Sequence, residues 1–194
     1  HVQEAFANQR SAVHPRVLLR HLTKIGGKSM HLGRQHDVHE FLRQLLDSCR
    51  NTLMEPACSS AKATGNALSP EVKHTTAVDQ LFGGYLRSQV TCLACKATSD
   101  TFDPFLDVSL DVLKVNSIDK ALDQFFTKEK LINCGYRCQQ CQKPVDATKQ
   151  FSIVRKPPVL TLHLKRFEVG RGGSMSSGKK LTKPVCFAKT IDLT

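Results

Sequence analysis

The residues in this chain best suited to specific chemistry are its cysteines. There are eight: Cys49, Cys58, Cys92, Cys95, Cys134, Cys138, Cys141 and Cys186. Four of them form two C-x2-C pairs, Cys92-Leu-Ala-Cys95 and Cys138-Gln-Gln-Cys141. That spacing lets two sulfurs of one tight turn face a single tetrahedral centre, and two such turns read as a structural zinc site. The thiols could instead stay unliganded, or pair as disulfides in a secreted protein. The 42 residues between the pairs exceed the roughly 15–20 of a compact zinc ribbon. A metal would then clip two separate hairpin tips. Closure entropy grows slowly with loop length, so the spacing is no objection. A shell of four sulfurs leaves no open coordination position, which points to a structural ion. Asp37 and Glu40 are a second candidate group. Three residues apart, they can project from one side of a helix start. They also fit a plainer role as charges favoured by the helix dipole.

The elements that position these groups follow from the apolar pattern. Pro15 suits the first turn of a helix carrying Val17, Leu18, Leu22 and Ile25, ended by Gly26-Gly27. Val38, Phe41, Leu42, Leu45, Leu46 and Cys49 recur at helical spacing, so Cys49 is expected to be a buried, inert thiol. Residues 56–74 turn small and polar, which predicts a loop. Ala77–Phe82 reads as a short helix stopped by Gly83-Gly84, and Tyr85–Thr91 as a strand running into the first cysteine pair. Phe105–Val112 alternates like a half-buried antiparallel strand. Ser117 can cap a helix carrying Ile118, Leu122, Phe125 and Phe126. Phe151–Val154 and Val159–Phe167 read as strands across the turn Pro157-Pro158, with a last short strand at Val185–Phe187. Helices first and strands after make an α+β chain.

The chain has 194 residues, 40% of them apolar and 23% charged, which excludes wholesale disorder. No run approaches the ~20 apolar residues of a membrane span. The net charge is +11, which raises nucleic acid as a possible partner on charge alone. Against it, the few aromatics do not interleave with the basic residues as a stacking platform requires.

Several stretches resemble the ubiquitin-specific proteases (ubiquitin carboxyl-terminal hydrolases). Gly33-Arg-Gln-His-Asp-Val-His-Glu-Phe-Leu42 is similar to that family's Gln-x-Asp-x-x-Glu-Phe box. Phe82-Gly-Gly-Tyr-Leu-Arg-Ser88, Cys92-x2-Cys95 and Ser99-Asp-Thr-Phe-Asp-Pro-Phe-Leu-Asp-Val108 follow its finger region. Cys138-x2-Cys141 and Leu162-His-Leu-Lys-Arg-Phe167 complete the series. The likeness is greatest to the nucleolar subgroup.

The resemblance implies an incomplete papain-like cysteine protease domain of thumb, palm and antiparallel, zinc-clipped fingers. Residues 1–55 would be the helical remainder of the thumb, 56–74 a loop, 75–155 the fingers with the zinc knuckles, and 156–194 palm strands. The family hydrolyses the bond after ubiquitin's C-terminal glycine, with a thiolate nucleophile and a histidine base. It implies ubiquitin contacts at Gln35, Asp37 and Glu40, the acids meeting an arginine-rich tail, and structural zinc on Cys92, Cys95, Cys138 and Cys141. The family nucleophile lies in a Gly-Asn-Thr-Cys motif at a helix start, where the dipole lowers a thiol's pKa. No such motif occurs in this chain. The chain begins at His1 and is expected to be the middle of a longer protein, with no catalytic residue of its own. Cys58 and Cys134 have no catalytic setting, and His163 alternates with Leu162 and Leu164 as a sheet-face residue. Expected partners are ubiquitin or ubiquitinated proteins, in the nucleus or nucleolus or else the cytoplasm. The alternatives are a catalytically dead ubiquitin-binding form and a basic, zinc-clipped nucleic-acid-binding domain.

Overall fold

A computed structural model describes residues 15–27, 30–33, 36–64, 75–167 and 180–193, with side chains omitted for 57–64. The chain divides into two compact units, 1–78 and 79–194.

The first unit is helical. Two short helices, α1 (Arg16–Arg20) and α2 (Leu22–Gly26), meet at His21, whose amide donates to the Val17 and Leu18 carbonyls. Gly27, at φ +58°, ends α2 in a conformation that disfavours a Cβ. Met30 is 1% exposed and packs its side chain on Gly26. The long helix α3 spans Val38–Thr64. Its Phe41, Leu42, Leu45 and Leu46 are half-buried. Two expectations fail here. α3 does not give way to a loop at Pro56 but continues to Thr64. Proline forfeits one hydrogen bond inside a helix, and Ala57, Ala61 and Ala63 supply the best helix propensity just beyond it. The rest of that predicted loop, 65–74, lies outside the described residues. Cys49 is exposed, not buried. The end of α2 lines a groove with Gln44, Ser48, Asn51 and Glu55, a different side of α3 from Cys49.

The helix α4 (Ala77–Phe82) leads into the second unit's four-stranded antiparallel sheet of order β2-β1-β5-β4. Its strands are β1 (Gly84–Cys92), β2 (Thr98–Phe105), β4 (Glu129–Leu131) and β5 (Ala147–Arg155). Gly84 is glycine because a Cβ there would collide with the Phe105 ring opposite it. β2 is an outer strand, exposed from Thr98 to Pro104. Pro104 is tolerated there because an outer strand has one row of amides with no ladder partner. A register shift between Tyr85 and Leu86 leaves Val154 as an extra residue on β5.

A second sheet pairs β3 (Val108–Asp111) with β6 (Leu162–Lys165) in parallel. The expected antiparallel pairing of β3 is therefore corrected. Its partner lies across a long connection through α5 (Ile118–Phe126), and such crossovers produce parallel neighbours. The stretch read as fingers thus gives one strand to the second sheet. Nor do β5 and β6 pair with each other across Pro157-Pro158; they belong to different sheets. Residues 185–187 form only a single bridge, Cys186 to Ser117.

The core of this unit sits between β3 and α5. Val108, Leu110 and Val112 alternate inward, and Leu110 and Val112 are fully buried. Leu162 and Leu164 stand opposite Val108 and Leu110 in the register. α5 presents Ile118, Ala121, Leu122 and Phe125 at helical spacing. Ser117 caps it as expected, its Oγ accepting from the Lys120 amide at 3.3 Å.

Candidate metal centre and helix cap

β1 ends on Cys92, and the register places Cys92 opposite Ala147, where β5 begins after the second cysteine pair. Both residues are fully buried. The ladder itself therefore brings the two pairs together. Each then folds into the same turn. The amides of Cys95 and Cys141 donate to the Sγ of Cys92 and Cys138, both at 3.5 Å. The amides of Lys96 and Gln142 donate to the carbonyls of those same first cysteines, at 3.0 and 2.8 Å. The amide of each first cysteine donates to the carbonyl of the fifth residue on, Ala97 or Lys143. Lys96 and Gln142 both take positive φ, +63° and +56°. The left-handed residue closes the turn and leaves both sulfurs on one side.

The four sulfurs lie within 4.8 Å of one another. Cys92 and Cys141 are 3.9 Å apart, and Cys95 and Cys138 are 3.7 Å apart. A regular tetrahedron with metal–sulfur bonds of ~2.3 Å has edges of about 3.8 Å. The cage is the right size for a metal ion, and four thiolates are the right donors for a soft one. Cys134 is exposed and outside this group. Among the described residues the cysteines are free thiols, not disulfides.

The thiols differ in proton affinity. Cys92 is held down at about 7, chiefly by the Cys95 amide bonded to its sulfur. Cys141 is pushed up to about 12, first by its hydrogen bond with the Cys95 side chain and then by burial. Tyr136 beside the cage ionises less readily than usual, through burial and the neighbouring thiolates. Asp146 braces the two tips: its carbonyl accepts from Leu93 at 2.9 Å and its carboxylate from Asn133 at 3.0 Å. A lone acid between two motifs carries no pattern, so sequence reasoning missed it.

The acids of the first unit are built differently. Asp37 caps α3: its carbonyl accepts from the Phe41 amide at 3.0 Å, and its Oδ1 accepts from the His39 amide at 2.9 Å. Among the described residues Oδ2 has no bonded partner. Glu40, one turn in and exposed, accepts from Gln44 Nε2 at 3.0 Å. Both carboxylates are thus oriented by the helix. Gln35 lies outside the described residues. His163 Nδ1 lies 2.9 Å from Ser109 Oγ, on the sheet face opposite Leu162 and Leu164, as the alternation predicts. No described helix is long and apolar enough to cross a membrane.

The family model described as ubiquitin carboxyl-terminal hydrolase matches residues 1–194. Ubiquitin carboxyl-terminal hydrolase 36 of Drosophila virilis is 42% identical over 193 residues, covering 100% of this chain and 15% of that protein. The Drosophila melanogaster protein of the same name is 42% identical over 190 residues, 98% of this chain and 17% of its own length. This chain therefore spans only a small part of those relatives. Among solved structures, a chain of the SAGA Ubp8/Sgf11/Sus1/Sgf73 DUB module bound to ubiquitin aldehyde superposes with a TM-score of 0.63. It is 32% identical, covering 79% of this chain and 31% of that one. A variant of the SAGA DUB module bound to monoubiquitin gives a TM-score of 0.63 at 33% identity, covering 79% and 32%. A family match over the whole length, on a mixed helix-and-sheet fold with four cysteines drawn into one cage, places the chain in the ubiquitin carboxyl-terminal hydrolase family.

Proposed function

We propose that this chain is the central part of a deubiquitinase that hydrolyses the bond after ubiquitin's C-terminal glycine. The single observation that carries the reading is the family match across every residue. In this reading the chain supplies binding and scaffold, and the nucleophile and base come from outside it. Asp37, Glu40 and Gln35 receive ubiquitin's arginine-rich tail. Carboxylates form charge-assisted, often bidentate bonds to guanidinium. The cap on Oδ1 fixes Asp37 and leaves Oδ2 for a guanidinium, an arrangement set before the ligand arrives.

The metal is zinc in a structural role. Cys92, Cys95, Cys138 and Cys141 hold it, and a closed four-sulfur shell leaves no position for substrate. Bound there, it supplies a cross-link between the finger tips and no step of the reaction. Free, closely set thiols suit a reducing compartment, and the nucleus or nucleolus is our proposed location.

Two titrations test the reading. The chain should bind ubiquitin in a way that weakens with Asp37→Arg. It should not release the fluorophore from a ubiquitin–fluorophore conjugate. Turnover abolished by a thiol alkylator would overturn the second half. Salt-sensitive RNA binding without ubiquitin binding would favour a nucleic-acid role.

A further inference from the structure

Three of the described residues between α2 and α3 are held in place. Met30 is buried against Gly26. Asp37 caps α3. Between them, the His36 ring reaches back across five residues to the backbone of His31. Its Nε2 lies 3.1 Å from the His31 amide nitrogen and 3.0 Å from the His31 carbonyl oxygen. A ring with Nε2 unprotonated accepts from the amide; a ring with Nε2 protonated donates to the carbonyl. Either tautomer finds a backbone partner in the same place. The bracket therefore holds in either tautomer.

Nothing in the metal cage or the helix cap accounts for this contact. Both histidines are exposed, so burial does not explain it. Its structural effect is on the next residue. Asp37 follows His36 directly, and its carboxylate direction depends on the backbone arriving at α3 at one angle. Gly33 lies inside the bracketed stretch at φ +82°. A chain with a glycine at its turn has several paths to that helix start. Tying residue 36 to residue 31 removes most of them.

We propose that His36 is a positioning residue for the ubiquitin tail. It acts through Asp37 by fixing the backbone that presents the carboxylate. This rests on the reading that Asp37 meets the tail. His36 touches no substrate in this role. It lowers the ordering cost of binding, because a prearranged acceptor loses less freedom when the guanidinium arrives.

The test is a titration of the chain with labelled intact ubiquitin and with ubiquitin trimmed of its C-terminal tail. Losing one exposed hydrogen-bonded bracket should weaken binding of intact ubiquitin by about three- to tenfold in His36→Ala. Binding of trimmed ubiquitin should not change. His36→Gln should restore most of the affinity, because its amide can both accept and donate. Asp37→Asn keeps the cap but removes the charge, and separates the two claims. If Asp37→Asn binds intact ubiquitin as tightly as the parent chain, the tail reading falls and the inference with it. If Asp37→Asn is weakened while His36→Ala is not, the tail reading stands and the positioning role is overturned. A loss in His36→Ala that persists with trimmed ubiquitin, or that His36→Gln fails to repair, also overturns it.

Discussion

Replacing Cys138 with serine removes one wall of the cage. Cys95 and Cys138 are 43 positions apart. By the chain-entropy relation for cross-links, a clip closing a loop of that length alone would be worth about 4 kcal/mol. The clip does not act alone, however. The β1–β5 ladder already joins Cys92 to Ala147. What the metal adds is closure of the short stretch from Cys141 to Ala147. For about six residues the same relation gives about 2 kcal/mol, or about a thirtyfold change in the opening of the tips. The core between β3 and α5 contains none of the four ligands. Hydrogen exchange followed by mass spectrometry reads the two regions separately. In Cys138→Ser the amides of Cys95, Lys96, Cys141 and Gln142 should exchange about thirty times faster. Those of Val108 and Ala121 should stay within a factor of about two. Equal loss of protection in the core would refute the argument, because tips and core would then open as one unit. So would unchanged tips in a parent protein that contains metal.

The remaining expectations are shorter. Asp37→Ala should cost α3 about 1 kcal/mol through the lost cap, read by thermal melting of the helix. Asp37→Ser should restore that stability without restoring ubiquitin affinity. Metal affinity, measured against a competing chelator, should weaken as pH falls from about 8 to about 6. Thiolates bind the metal and thiols do not, so Cys141, at about 12, surrenders its proton throughout this range. That gives at least about tenfold per pH unit, and Cys92, at about 7, steepens the fall below neutrality. A flat profile would mean the cysteines are not the ligands. Leu110→Ala, at a fully buried position, should cost about 2–5 kcal/mol in denaturant unfolding; a cost below about 1 kcal/mol would show the core misassigned.

The four-cysteine cage was legible because its signal is local. Two residues between cysteines dictate a turn, and the turn recurs with the same hydrogen bonds in both pairs. The cap at Ser117 was also legible, since its side chain acts on an amide three residues away. The capping bond of Asp37 was not, because in the sequence that residue reads as a dipole charge or a ubiquitin contact. Long-range pairing was not legible either. The Phe105–Val112 alternation marked one buried face correctly, but alternation is the same for parallel and antiparallel neighbours. Only the partner's position decides between them, and β6 lies beyond a helix and most of the four-stranded sheet. Cys49 failed for a related reason. Spacing tells which helix residues share a side, but not which side a neighbouring element covers. Residues 56–64 misled because proline outweighs three alanines in a local reading, although a helix already formed can absorb one missing bond.

β2 has a consequence for how the molecule behaves in concentrated solution. Among the described residues its eight have β1 on one side and no further strand on the other. An extended outer strand of that length is a template on which another chain can pair and begin to aggregate. Three residues work against this. Pro104 interrupts the row of available amides, and Asp100 of one copy would face Asp103 of the other if two such strands aligned antiparallel about their middle. Proline and like charge are therefore how this fold keeps its outermost strand from recruiting a neighbour. The protection is concentrated in three side chains that have no role in the metal cage or the helix cap.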